Sequence, residues 1–126
     1  MENFKIEASK YIPEILFDCE ANVLHVKGKS YPENTAEFYG PVFTWLEQYL
    51  EQLDTQEVVV NVELVYFNSS SSKVFMDFFD MLDEAAENGK NITLNWIYDE
   101  DDETMLEYGE EFMEDLESLT FNLIQK

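Results

Sequence analysis

The chain has 126 residues, 45% hydrophobic and 15% aromatic, which fits a single domain (residues 1–126) around one buried core and excludes a disordered chain. Twenty-eight acids face seven bases, all lysine, and the resulting charge of −21 repels nucleic-acid backbones and anionic membranes while steering basic proteins toward the surface. No apolar run reaches the ~18–20 residues of a membrane span, Met1–Lys5 lacks a signal-peptide pattern, and the lone Cys19 excludes an internal disulfide, so a cytoplasmic setting is expected.

In chain order, Phe4 to Lys10 reads as a short segment lying against a sheet edge. Glu14–Asp18 and Val23–Gly28 are two short strands with a polar connection carrying Asn22, the pattern of a β-hairpin. His25 alternates with Leu24 and Val26 and is expected on the opposite strand face from them. Pro32 and Asn34 end the strand, with Ser30 or Asn34 as cap of the next helix. From Thr35 to Leu53, the residues Phe38, Val42, Trp45, Leu46, Tyr49 and Leu53 form a helical stripe. Pro41, inside that pattern, predicts a kink or a helix start after Gly40.

Glu57–Val65 is rich in β-branched residues and predicts a strand, its continuous apolar start pointing to coverage on both faces. After Tyr66-Phe67-Asn68 come four serines, Ser69 to Ser72, then Lys73. Val74 to Ala86 is a helix with Phe75, Phe78, Phe79, Leu82 and Ala86 on one stripe, and Gly89 is its stop signal. Asn91–Tyr98 alternates as a strand. Asp99 to Glu103 is an acidic run before a helix over Thr104–Leu116, and Thr120–Ile124 closes the chain as a strand. A hairpin followed by αβαβαβ predicts an α/β fold with a mixed, partly parallel sheet, three main helices and right-handed crossovers.

In such sheets, sites collect beyond the carboxyl ends of the strands. The Ser69 junction and the Asp99 run both lie there and share one rim if their strands are neighbours. A hydroxyl in the first turn of a helix can cap it, and a phosphate placed there meets free N–H groups and the positive end of the dipole. Catalytic signatures are scarce. There is no GxGxxG, GxxxxGK[ST], HExxH, CxxC or GxSxG pattern. One His and one Cys make a weak dyad, and Ser69 with Lys73 a weak nucleophile–base pair. The acids Asp99–Glu103 read more simply as helix-capping residues than as oxygen ligands for a divalent ion. No enzyme activity, metal or cofactor is expected.

Three blocks together resemble the SiaC family of bacterial regulatory phosphoproteins: Ser30-Tyr31-Pro32-Glu33-Asn34, Tyr66-Phe67-Asn68-Ser69-Ser70-Ser71-Ser72-Lys73, and Trp96-Ile97-Tyr98-Asp99-Glu100-Asp101-Asp102-Glu103. The resemblance runs over nearly the whole chain. It implies a STAS-like fold, similar to anti-sigma-factor antagonists, and a non-enzymatic switch set by a partner kinase and a partner phosphatase. The unphosphorylated form would bind a diguanylate cyclase and so control biofilm formation. The implied phosphoacceptor is Ser69, where better-known members carry Thr, with Ser70 and Ser71 as alternates. Partner contacts are expected at Tyr31, Glu33 and Asn34, at Tyr66, Asn68, Ser70, Lys73 and Val74, and at Asp99, Asp101 and Asp102. The alternative is a constitutive acidic adaptor or inhibitor that meets a basic protein through its Asp99 to Glu117 face.

Overall fold

The computed structural model describes residues 1–126. The elements run β1 (Phe4–Ile6), β2 (Glu14–Asp18), β3 (Val23–Ser30), α1 (Thr35–Gln52), β4 (Glu57–Phe67), α2 (Ser69–Glu87), β5 (Asn91–Tyr98), α3 (Glu103–Glu114) and β6 (Thr120–Gln125). One six-stranded sheet holds all the strands in the order β1-β2-β3-β4-β5-β6. β1, β2 and β3 pair antiparallel, and β3 through β6 pair parallel. The mixed α/β architecture expected from the element order is the one observed, with the N-terminal segment forming the edge strand.

This order determines the layers. Each parallel pair is joined through a helix, and such crossovers are right-handed. Three of them taken in the same direction put every helix on one face of the sheet. Burial along β4 follows: Val58, Val60, Val62 and Leu64 are buried, while Val59, Asn61 and Glu63 are only half-buried. The expectation that β4 is covered on both faces is corrected here. Its unbroken Val58-Val59-Val60 start reflects β-branched residues suited to a pleated strand on either side, with Val59 beside Val23 and Thr93 on the uncovered face. On that face His25, Asn61, Asn95 and Asn122 lie in one cross-strand row. The Asn95 amide donates to Asn61 Oδ1 at 3.0 Å, and Asn122 donates to Asn95 Oδ1 at 3.1 Å. His25 is exposed there, as its alternation predicts.

Between helices and sheet lies a single cluster of 26 buried side chains. α1 starts at Asn34, whose side chain accepts from Glu37 N at 3.0 Å. It continues through Pro41 without restarting; Pro41 is exposed, so the missing donor lies on the solvent side. Tyr39, not Phe38, is the fully buried aromatic of its first turns. α2 ends as its glycine signals: Gly89, at φ +98°, lets Gly89 N reach Ala86 O at 3.1 Å and Lys90 N reach Ala85 O at 3.0 Å. Asp83 of α2 ties down the turn before β6, its Oδ1 accepting from Ser118 N and Leu119 N, both at 2.8 Å.

α3 crosses the sheet closely. Gly109 sits against Trp96, whose Nε1 donates to Met105 O at 2.9 Å. A Cβ on Gly109 would meet Trp96 Cδ1 at 2.5 Å and Leu123 Cδ2 at 2.7 Å. In an open helix, Gly to Ala gains about 1 kcal/mol. Here overpacking reverses the sign. Gly109→Ala is expected to lower stability by about 1–3 kcal/mol in urea unfolding.

Candidate functional site

The site begins with a defect in the sheet. β3 and β4 pair in register up to Gly28 and Leu64, then shift, so that Lys29 faces Tyr66 and Val65 is left as an extra residue. Gly28 supplies the backbone for this bend at φ +124°, which a residue with a Cβ rarely adopts. The shift changes the phase of β4. Val65 and Tyr66 are both exposed, at 56% and 50%, and Phe67 turns back into the core. Phe67 then packs against Phe75, Trp96, Tyr108 and Phe112, anchoring the end of the strand.

Asn68 converts this strand end into a helix start. Its Oδ1 accepts from Ser71 N at 2.9 Å, its carbonyl accepts from Ser72 N at 2.9 Å, and its own N–H donates to Ser30 O at 3.2 Å. The following serines divide by helical period. Ser69 and Ser70 are exposed in the first turn, whereas Ser71 is fully buried. Ser71 Oγ lies 2.8 Å from Ser30 Oγ, which lies 2.6 Å from Tyr39 OH. This hydroxyl chain links α2, β3 and α1 behind the site. Two expectations change as a result. Ser30 ends β3 inside the core and does not cap α1. Ser71 is committed to the interior, and an enzyme could reach its hydroxyl only by opening the helix.

Beside the serines, three tyrosines form a row at the surface, Tyr11 and Tyr66 exposed and Tyr31 half-buried between them. Tyr11 and Tyr31 meet edge-on at 5.2 Å, as do Tyr31 and Tyr66 at 5.3 Å, and the Lys10 ammonium lies 5.6 Å from the centre of the Tyr11 ring. Tyr31 N donates to Tyr11 O at 2.8 Å, fixing the β1–β2 connection to the rim. Tyr11 was not legible as part of the site, because its loop precedes β2 and only antiparallel pairing brings it to this edge. Glu33 and Asn34 open α1 on the same rim and line a shallow cleft with Glu37 and Phe38. Lys73 is exposed one turn into α2, and Val74 is half-buried against the core.

Asp99, Asp101 and Asp102 follow β5, the neighbour of β4, and so share the rim as expected. Asp99 Oδ1 accepts from Asp101 N at 3.2 Å, and Asp102 caps α3 through Met105 N at 3.1 Å. No hydrogen bond joins them to the Asn68–Lys73 segment. No group of three His, Cys, Asp or Glu side chains converges anywhere as a metal site. Cys19 Sγ donates to Asn3 Oδ1 at 3.1 Å, and no hydrogen bond joins it to His25. Ser69 and Lys73 line none of the four main clefts.

Burial pushes the Tyr39 phenol up to about 12, against the opposing effect of its hydrogen bond to Ser30. Tyr49, whose hydroxyl donates to Asn22 Oδ1 at 2.7 Å, is likewise pushed up to about 12, by burial first and then by Cys19 and Asp18. A phenol raised in the folded state gives stability that is complete below its unfolded value of 10.0 and is lost as pH rises toward 12. Urea unfolding is therefore expected to show stability falling over this alkaline window, with a shallower fall in Tyr39→Phe and in Tyr49→Phe.

The comparisons agree with one another. The model of the SiaC family regulatory phosphoprotein matches residues 6–126. An uncharacterised protein of Pseudomonas aeruginosa strain UCBPP-PA14 is 37% identical over 115 residues, which cover 91% of this chain and 90% of that protein. The solved structure of SiaC of Pseudomonas aeruginosa superimposes with a TM-score of 0.91 at 34% identity, covering 100% of both chains. A chain in the crystal structure of the diguanylate cyclase SiaD with its activator SiaC, from the same species, gives a TM-score of 0.91 at 36% identity over 98% of this chain and 99% of that one. On this likeness in sequence and fold, along essentially its full length, the chain belongs to the SiaC family of regulatory phosphoproteins.

Proposed function

We propose that this chain is a non-enzymatic switch whose unphosphorylated form binds and regulates a diguanylate cyclase, and that phosphate on Ser69 releases it. The observation that carries this reading is the placement of Ser69: an exposed hydroxyl in the first turn of α2, on the same rim as the surface row Tyr11, Tyr31 and Tyr66. The related SiaC was solved in complex with the cyclase it activates, which supports an effector of the same kind here. A kinase and a phosphatase complete the cycle, with Ser70 as the remaining alternate acceptor.

The chemistry of the switch follows from the helix end. A phosphate adds about −1.5 to −2 charge. Locally that charge meets the positive end of α2 and Lys73, so the modified fold is tolerated without rearrangement. Toward a partner it stands beside apolar rings that docking would cover, and covering it means stripping its water. A penalty of about 3 kcal/mol weakens binding more than 100-fold. Tyr31, Tyr66, Asn68, Ser70 and Val74 are the proposed partner contacts around it, with Glu33, Asn34, Asp99, Asp101 and Asp102 as the acidic and polar border.

The second reading, a constitutive acidic adaptor, draws on α3. Its five glutamates, Glu103, Glu107, Glu110, Glu111 and Glu114, are all exposed and no base accompanies them. That reading predicts strongly salt-dependent binding indifferent to Ser69.

Ser69→Asp is expected to abolish binding to the cyclase in calorimetry while leaving the melting temperature close to wild type, and Ser69→Ala is expected to bind. Wild-type affinity in the Asp form, or loss of its fold, would refute the mechanism. Intact-mass analysis with site mapping of protein from its native cells should show one phosphate, on Ser69.

A further inference from the structure

α1 and α2 both run back from the site rim, so they are parallel and their carboxyl ends lie together at the opposite end of the molecule. A groove of about 390 Å³ opens between them there. Its floor is apolar: Leu50 of α1 and Met81 and Ala85 of α2, all half-buried at the edge of the core. Its walls are acidic: Glu47 and Glu51 on one side, Glu84 on the other. Two helix dipoles point their negative ends at this spot, and neither helix carries a base in its last turn. Lys90 also lines the groove, but its ammonium donates to Leu53 O, so it satisfies the carboxyl end of α1.

We infer that this groove docks a basic amphipathic helix of a partner protein, with apolar side chains on Leu50, Met81 and Ala85 and lysine or arginine side chains reaching Glu47, Glu51 and Glu84. Charge complementarity selects this occupant. An apolar strip between two acidic walls matches a helix whose apolar face is flanked by cations. A second copy of this chain, at −21, is repelled from the same place. Docking here is independent of the proposed switch. Fifteen helical residues separate Ser69 from Glu84, roughly 22 Å at 1.5 Å per residue. That is well beyond the ~8 Å over which charges are felt at physiological salt. The groove thus suits a partner that must engage both the modified and the unmodified chain. This independence rests on Ser69 being the switch; the groove itself does not.

The test uses a fluorescently labelled Lys/Leu amphipathic peptide of about 18 residues, long enough to span ~27 Å as a helix, titrated with the full-length protein in anisotropy. Glu47→Gln/Glu84→Gln is expected to weaken binding about tenfold, the loss of two pairs at the upper end of exposed-pair strength. Glu107→Gln/Glu111→Gln on α3 makes the same change in net charge and is expected to leave affinity within about threefold, since dispersed exposed charges are screened. Ser69→Asp is expected to leave the peptide's affinity unchanged. Equal losses in the two double variants, or no loss in either, overturn the groove. A loss in Ser69→Asp alongside the loss in Glu47→Gln/Glu84→Gln overturns only the independence from the switch. Self-association in sedimentation that disappears in the groove variant would assign the groove to a second copy instead.

Discussion

Handedness is the constraint on which the molecule rests. Three strands added in one direction across a sheet, each through a right-handed crossover, leave the helices no choice of face. The same rule brings the β3, β4 and β5 loops to one rim. Tyr31, Asn68 and Asp102 are distant in sequence, and each stands where a parallel strand stops and a helix is about to begin. The acidic helical layer follows as well. α2 and α3 present their carboxylates outward because their apolar stripes are committed to one side of one sheet. The lysines distribute differently. Lys5, Lys27 and Lys29 are exposed along β1 and β3, and Lys126 pairs with Glu63 in the molecule's single ion pair, at 2.7 Å.

Within that frame, adjacent serines serve separate ends. Ser71 falls four residues before Phe75 and so continues the stripe Phe75, Phe78, Phe79, Leu82 into the core. A hydroxyl on a buried stripe needs partners, and Ser30 and Tyr39 supply a closed chain of short hydrogen bonds. Ser69 and Ser70, turned away from the stripe by the same period, remain available to solvent. Holding the helix start in place and presenting a hydroxyl to solvent are therefore done by different residues of one turn.

Much of this was readable in advance, and what was not has definite causes. Periodicity and β-branched runs located β2 to β6 and the three helices, because these are local properties, whereas β1 was legible only as a segment against a sheet edge. Glycine marked the carboxyl end of α2, since it acts through the backbone at its own position; the cap at the start, expected from a serine hydroxyl, is instead the Asn68 side chain. The burial of Ser71 was also present in the pattern, as Phe75 minus four, but its polarity disguised it. Tyr39 was passed over for Phe38 because the two are adjacent and either extends a helical stripe. By contrast, the extra residue Val65 leaves no mark in composition; it emerges only from pairing β4 with β3. The place of Tyr11 on the rim depends on the edge of the sheet, and the open face of β4 depends on the global direction of three crossovers. Local chemistry reaches as far as the element, and non-local pairing decides the rest.

The gathering of α1, α2 and α3 starts on one rim has a consequence for how such a surface can change over time. Its attraction for anions is made by peptide N–H groups, which every residue but proline carries, so no ordinary substitution erases it. Side chains there set the shape and charge of the rim, and these can drift. The backbone field beneath them does not. Three neighbouring helix starts are therefore equivalent in backbone chemistry, whatever side chains stand over them.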